Sequence, residues 1–496
     1  MKIRKILILC TLMSIAIVAC DDDDDTQQTL ITPRANFTFS PAAPVEGDVV
    51  VFTAGVVEGS SEITTWNWHF GDEDSTLSVE QSPTFIYETP GTYEVTLEVT
   101  DAAQNVFKIS RPVTVTKAEF PAAIVWEFTS NNAVANINDG SSAPVIGEDG
   151  TIYYVESRAG AESSVVAVMD EGENAVLKWA SNAIGGDLPN APSIGPDGHI
   201  YINAWVDDNA ITKLNAADGT ILWAGGIGTD VSNNTPAIDS HGNTYHGSRA
   251  QGANGGVFSW SPEGEKRWEI TGVGAFYAAP VISADESTVY FLNTSTGQIW
   301  AINAEDGSEK WEMPVGLDAG VHGPSLSMDA DGTIYFTTKT HVAAVTDEGE
   351  TGSLKWSVEV NDPSNSGVVI GPQGVLYTGS VGGLVSLNPA DGSINWTYNA
   401  DIRESVPAVD VNGNIYVGTS DGRMLILNAE GELEKEFELG DNVVNSPTIA
   451  SDGTIYIEAK DDTVIKLFKI AVENSGPADS YWPMKGQNVK NTGRAM

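Results

Sequence analysis

Asn215-Ala216-Ala217-Asp218-Gly219-Thr220-Ile221-Leu222-Trp223 decides the fold, because the same order of residue types returns twice more. The copies are Asn303-Ala304-Glu305-Asp306-Gly307-Ser308-Glu309-Lys310-Trp311 and Asn388-Pro389-Ala390-Asp391-Gly392-Ser393-Ile394-Asn395-Trp396. In each, an Asp-Gly turn stands before a short run that ends on tryptophan, which predicts a hairpin. A second Gly turn, such as Pro196-Asp197-Gly198, and a tyrosine lie upstream. That tyrosine recurs as Tyr153, Tyr201, Tyr245, Tyr290, Tyr335, Tyr377, Tyr416 and Tyr456. The period is about 43 residues, the length of four short strands and their turns.

A proline opens what should be the innermost strand of each unit: Pro144, Pro192, Pro236, Pro280, Pro324, Pro407 and Pro447, with Val368 in its place once. Strand starts tolerate the missing N–H. Four-stranded units of this kind cannot bury both faces alone, so eight of them predict an eight-bladed β-propeller over residues 118–470. The tyrosines are followed by Trp179, Trp223, Trp268, Trp311, Trp356 and Trp396, and by Phe437 in the seventh unit. The eighth unit has no such partner downstream. The run Ala122-Ala123-Ile124-Val125-Trp126-Glu127-Phe128 is an orphan strand of the right type and is expected to complete it. Trp482 competes by spacing, but Pro477 and Pro483 flank it and no Asp-Gly turn precedes it. On this reading, deleting residues 118–130 harms stability more than deleting 477–496.

These units resemble PQQ-like repeats, a family that includes quinoprotein alcohol dehydrogenases and the propeller lipoprotein of outer-membrane protein assembly. The tail from Tyr481 to Arg494 resembles a Trp-Pro…Thr-Gly-Arg segment found beside such propellers, and residues 471–496 are expected to pack on the ring. Quinone-binding relatives are expected to carry an adjacent cysteine pair, and electron-transfer versions a haem motif. Here the two cysteines are Cys10 and Cys20, so thiol chemistry, Cys-ligated zinc and haem attachment are excluded from the body of the chain and no cofactor is expected.

Residues 33–117 read differently, as short alternating strands separated by Gly and Pro. The segments Trp66-Asn67-Trp68-His69-Phe70-Gly71-Asp72 and Tyr87 to Asp101 resemble the PKD domain family, which implies an immunoglobulin-like β-sandwich. His69 and Glu73 depart from the family pattern, so the turn after Asp72 is expected to differ in shape. The whole chain is therefore expected to be all-β: a PKD sandwich followed by a PQQ-like propeller.

Before the sandwich, Lys2, Arg4 and Lys5 precede an apolar stretch from Ile6 to Ala19 that has the layout of a secretory signal, residues 1–19. Ile17-Val18-Ala19-Cys20 resembles a bacterial lipobox, which implies acylation of Cys20 and a lipid anchor in the outer membrane. Asp21 to Asp25 open a solvated tether, residues 20–32, and resemble the acidic export signal of surface lipoproteins in Bacteroidetes-type bacteria. Display on the cell surface is expected.

With 68 Asp and Glu against 25 Lys and Arg, the formal charge of −43 repels nucleic acid, and no basic patch offsets it. Residues that recur in every blade are structural by their multiplicity. The unrepeated polar residues entering each innermost strand are the candidate binding set: Asn190, Asn234, Tyr277, His322, Asn365, Arg403, Glu404 and Asn445. Amides and an aromatic ring suit a polysaccharide or an envelope protein, and His322 with Glu404 offers an acid–base pair. The plainer reading is that the Asn and Ser side chains satisfy strand ends. His241 and His246, five apart across a turn, are poor metal ligands, Asp329-Ala330-Asp331-Gly332 reads as a turn, and no metal site is expected. Trp205 with Asp207 and Asp208, and Gly252 to Gly256, fall in longer loops suited to gripping a partner. The expectation is a monomeric, non-enzymatic surface module; a periplasm-facing assembly scaffold and a polysaccharide-cleaving enzyme are the alternatives.

Overall fold

The computed structural model describes residues 34–495 except 58, 131–141, 157–162, 183, 185–189, 205–209, 228–233, 249–254, 317–324, 364, 444, 463 and 474–475. Two units divide the chain between Ala118 and Glu119. Cys20 and the acidic run lie outside the described residues, as do Trp205, Asp207, Asp208 and Gly252 to Asn254.

In the first unit, a three-stranded sheet (Phe37–Ser40, Val49–Ala54, Thr84–Ile86) and a four-stranded sheet (Leu77–Ser78, Ile63–His69, Gly91–Asp101, Val106–Val115) share one core. Alternation along Trp66-Asn67-Trp68 puts Trp68 wholly inside, where its indole N–H donates to the Glu80 carbonyl at 2.9 Å. After the strand, Gly71 takes φ +78°, and Asp72 closes the turn by accepting from the Thr76 N–H and hydroxyl.

Among the described residues of the second unit, the strands form eight four-stranded antiparallel sheets, here called blades in chain order. The eighth is Thr448–Ile449, Ile455–Asp461, Val464–Val472 and, as its outer strand, Ala122–Thr129. Trp126 stands opposite Lys469, which stands opposite Tyr456, the same row that joins Trp179, Ala167 and Tyr153 in the first blade. The orphan strand thus closes the ring. In the seventh blade, a bulge at Glu434 sets the register so that Lys435, not Phe437, occupies the tryptophan position opposite Ile426 and Tyr416. Phe437 lies two residues further along, opposite Met424.

The recurrence of Trp and Asp-Gly has one physical cause. Each indole N–H donates to a turn carbonyl of the next blade: Trp179 to Ala216, Trp223 to Pro262, Trp268 to Ala304, Trp356 to Pro389 and Trp396 to Ala429, at 2.9–3.1 Å. Trp311 and Trp126 use the carboxylates of Asp347 and Asp170 instead. The turn glycine lies against that ring with positive φ. A Cβ on Gly219, Gly307 or Gly392 would fall 2.5–2.8 Å from the indole of the preceding blade. Turn and tryptophan recur together because they are two sides of one contact between neighbouring blades.

Candidate functional site

Each blade's outer strand must return to the axis to begin the next blade, so the connecting residues collect at one end of the central channel. The hairpin turns between first and second strands collect at the other. The two ends are built differently.

At the connection end, Asn234 is buried and its amide donates to the Phe276 carbonyl at 2.9 Å, while its Oδ1 accepts from Asn203 at 3.2 Å. Asn445 is also buried and donates to Glu458 at 3.1 Å; Asn190 is buried at the start of the second blade. These three amides sit in the ring wall, the strand-end role open to their residue type. Tyr277, Asn365 and Glu404 are half-buried, and Arg403 is exposed with its guanidinium 3.2 Å from Asp401. His322 lies outside the described residues, so its expected pairing with Glu404 does too.

Asn445 leads to a group that sequence reading passed over. Glu458 is fully buried, with its carboxylate held by Asn445 and 3.4 Å from the Ser142 hydroxyl. Burial, with Glu156 adding repulsion, pushes its pKa up to about 8. Lys485, equally buried, is pushed down to about 7 by the same loss of solvent, although the negative charge of Glu458 opposes that shift. Tyr154 donates to Glu156 at 2.9 Å. The signal was present: two residues after the recurrent tyrosine stand Val155, Asn203, Gly247, Leu292, Thr337, Gly379 and Gly418, and in the eighth blade Glu458, the one ionisable side chain of that column.

At the turn end, the C-terminal tail occupies the channel. Carbonyls of Val489, Lys490, Thr492, Gly493, Trp482 and Pro483 accept from Ile146, Ile194, Ile238, Ile282, Ile370 and Val409, the last residues of six innermost strands, at 2.7–2.9 Å. Those N–H groups would otherwise form unpaired strand edges around the axis. Trp482 and Met484 are 1% exposed. The tail therefore packs into the ring rather than onto it.

His246, His241 and the turn carboxylate Asp329 each have local partners. His246 is fully buried beside Phe258, ring centroids 5.6 Å apart, and burial pushes its pKa down to about 3; His241 is exposed on a turn. Asp329 accepts from the Asp331 and Thr333 N–H groups and from the Tyr335 hydroxyl, which fixes it as a turn residue. Among the described residues, no three His, Cys, Asp or Glu side chains converge as a metal site.

A PKD domain family model matches residues 31–116. The model described as outer membrane protein assembly factor BamB matches 123–225, 207–366 and 338–433. Curated relatives include BamB of Moranella endobia, 26% identical over 49% of this chain and 67% of its own length. Serine/threonine-protein kinase AfsK of Streptomyces griseus is 28% identical over 39% of this chain and 25% of its own length, and BamB of Burkholderia pseudomallei is 30% identical over 21% and 25%. The chain spans only a quarter of the length of those last two. Among solved structures, BamB from Moraxella catarrhalis superposes with TM-score 0.50 at 19% identity, covering 70% of this chain and 97% of that one. Saccharomyces cerevisiae Sqt1 gives 0.56 at 11% identity, covering 70% and 99%. At such identities these superpositions speak for the propeller fold alone.

Proposed function

Because the chain belongs to the outer membrane protein assembly factor BamB family, whose model spans most of its propeller, we propose that it is an outer-membrane-associated scaffold that holds an envelope protein. The supporting observation is the asymmetry of the ring. One end is filled by the tail, bonded to six innermost strands, while the other presents Tyr277, Asn365, Arg403 and Glu404, side chains that differ from blade to blade. Binding without turnover suits a rigid ring whose recurrent groups are spent on blade contacts. The acidic surface favours a partner that is neutral or basic where it docks.

Anchoring through an acylated Cys20 and display on the outer face belong to the same proposal and rest on the lipobox and on Asp21 to Asp25. The test is affinity capture from solubilised envelopes with the full chain as bait. Tyr277→Ala with Arg403→Glu should lose the captured envelope protein while keeping the melting temperature. Release of new reducing ends or unsaturated products from a polysaccharide, abolished by changing His322, would establish the cleaving enzyme instead.

A further inference from the structure

On the turn face, away from the connection end, a cavity of about 380 Å³ opens between the fifth and sixth blades. Lys355, the turn residues Asp331 and Gln373, and Asp479 and Tyr481 of the tail line it. A cavity of about 390 Å³ stands at the equivalent place between the first and second blades, so the hollow itself is a feature of the repeat. The two differ in what their side chains have left to give. Between the first and second blades, Lys178 is paired with Asp149 at 2.9 Å and with the Thr151 hydroxyl, Lys490 with Glu148 at 2.8 Å, and Asp197 with Lys213 at 2.7 Å. Charges there neutralise one another. Between the fifth and sixth blades, Lys355 reaches only the Thr333 hydroxyl, at 3.4 Å, and no carboxylate among the described residues pairs with it. The side chains of Asp331, Gln373, Asp479 and Tyr481 make no hydrogen bond to another described residue.

Two further features separate this cavity from its counterpart. Gln373 sits at φ +61° and ψ +12°, a left-handed conformation that costs a non-glycine residue on the order of 1 kcal/mol and that tends to persist where a side chain has work to do. Tyr481 is 39% exposed although its neighbour Trp482 is 1% exposed. It is held there from both sides: the Ser480 hydroxyl donates to the Ile370 carbonyl, and the Trp482 carbonyl accepts from the Ile370 N–H at 2.7 Å. The ring is thus presented to solvent by a rigid backbone rather than left on a loose end.

We propose that this cavity between the fifth and sixth blades binds a neutral sugar unit, with Tyr481 as its aromatic platform and Gln373, Lys355, Asp331 and Asp479 bonding its hydroxyls. The exposed ring offers an apolar face for the C–H side of a pyranose. The carboxylates accept from vicinal hydroxyls, the ammonium donates, and the amide does both, which matches a ligand whose every edge is donor and acceptor at once. An apolar ligand would leave Lys355 and the carboxylates desolvated without partners. An anionic one would face Asp331, Asp479 and a chain of charge −43. The volume accommodates about one or two sugar rings, at the lower end of small-molecule sites. This site is separate from the one proposed for an envelope protein, and either stands if the other fails.

The test uses the purified full chain and a panel of methyl glycosides of glucose, galactose, mannose and N-acetylglucosamine, with glucuronic acid as the anionic arm, read by saturation-transfer NMR and calorimetry. At least one neutral glycoside should bind with millimolar affinity or better. Tyr481→Ala and Gln373→Gly should each weaken it by about tenfold, while Lys178→Ala in the equivalent cavity leaves it unchanged. Gln373→Gly should leave the melting temperature nearly unchanged, because the strain it relieves offsets the entropy glycine adds to the unfolded chain, so loss of binding cannot be ascribed to unfolding. Absence of binding by every neutral glycoside at about 10 mM overturns the proposal. So does binding that survives Tyr481→Ala, or tighter binding of the uronic acid.

Discussion

Replacing Trp482 with alanine tests whether the tail is a structural member of the ring. The indole is 1% exposed and packs into the apolar cluster of the fourth to sixth blades with Leu326, Met328 and Val368. A buried aromatic of this kind removes about 150–250 Å² from water, and at about 25 cal/mol per Å² that is roughly 4–6 kcal/mol as an upper figure. Core Trp→Ala changes elsewhere cost about 3–5 kcal/mol, in agreement. Tyr481→Ala, one residue away and 39% exposed, should cost less than about 1 kcal/mol. Equilibrium denaturation in urea of the two variants and the parent, fitted with a common slope, separates them. If Trp482→Ala destabilises no more than Tyr481→Ala, the tail is peripheral and the account of the channel is wrong. The same reasoning revises the expected ranking of deletions: with six innermost strands bonded to the tail, removing 477–496 should be as damaging as removing 118–130.

Further outcomes follow from other contacts. Trp356→Phe removes an indole donor and leaves the Pro389 carbonyl without it, so it should cost about 1–2 kcal/mol in the same denaturation assay. Gly307→Ala, at φ +75° with a Cβ 2.8 Å from Trp268, should destabilise by at least about 1 kcal/mol, whereas Gly172→Ala, also at positive φ but with open space around it, should cost less. Glu458→Gln addresses the buried carboxyl. Its folded pKa, about 8, lies above the unfolded value of 4.5, so the parent loses stability as pH rises from about 4.5 to 8, because the unfolded chain ionises first. Lys485 is depressed to about 7 and acts mainly above that, so between pH 5 and 7 the variant should gain on the parent by roughly 1.4 kcal/mol per pH unit. A constant difference across that window would show that Glu458 titrates normally.

The ring was legible because its signals repeat. Eight tyrosines at one spacing cannot arise from unrelated strands, and an orphan strand of the missing type pointed to its own place in the eighth blade. Reading failed where a repeat lost its marker residue: in the seventh blade, an aromatic two residues late drew the eye to Phe437, while the bulge at Glu434 put Lys435 in the row. The tail was legible only as a likeness, since its bonds to the innermost strands run through carbonyls that any residue supplies. Asn190, Asn234 and Asn445, at strand entries, were open to two readings, as ligands for a partner or as groups that satisfy strand ends. All three are buried in the wall, where the Asn234 amide donates to the Phe276 carbonyl and the Asn445 amide to the Glu458 carboxylate. Glu458 needed the units to be aligned column by column before its charge stood out.

The ring closes by pairing Ala122–Thr129 with Val464–Val472, and a disulfide placed across these two strands reads that pairing out. Ala123 and Ala471 stand directly opposite each other, both exposed, at a spacing that antiparallel partners share with disulfides, about 4.5–5.5 Å between Cα atoms. With Cys10 and Cys20 changed to serine, Ala123→Cys with Ala471→Cys leaves no other thiol in the chain. Mild oxidation should consume both thiols within one molecule and, because the bond clamps the first and last strands of the ring, raise resistance to urea by several kcal/mol at most. Two thiols that stay titratable under oxidising conditions in the folded protein would contradict the closure.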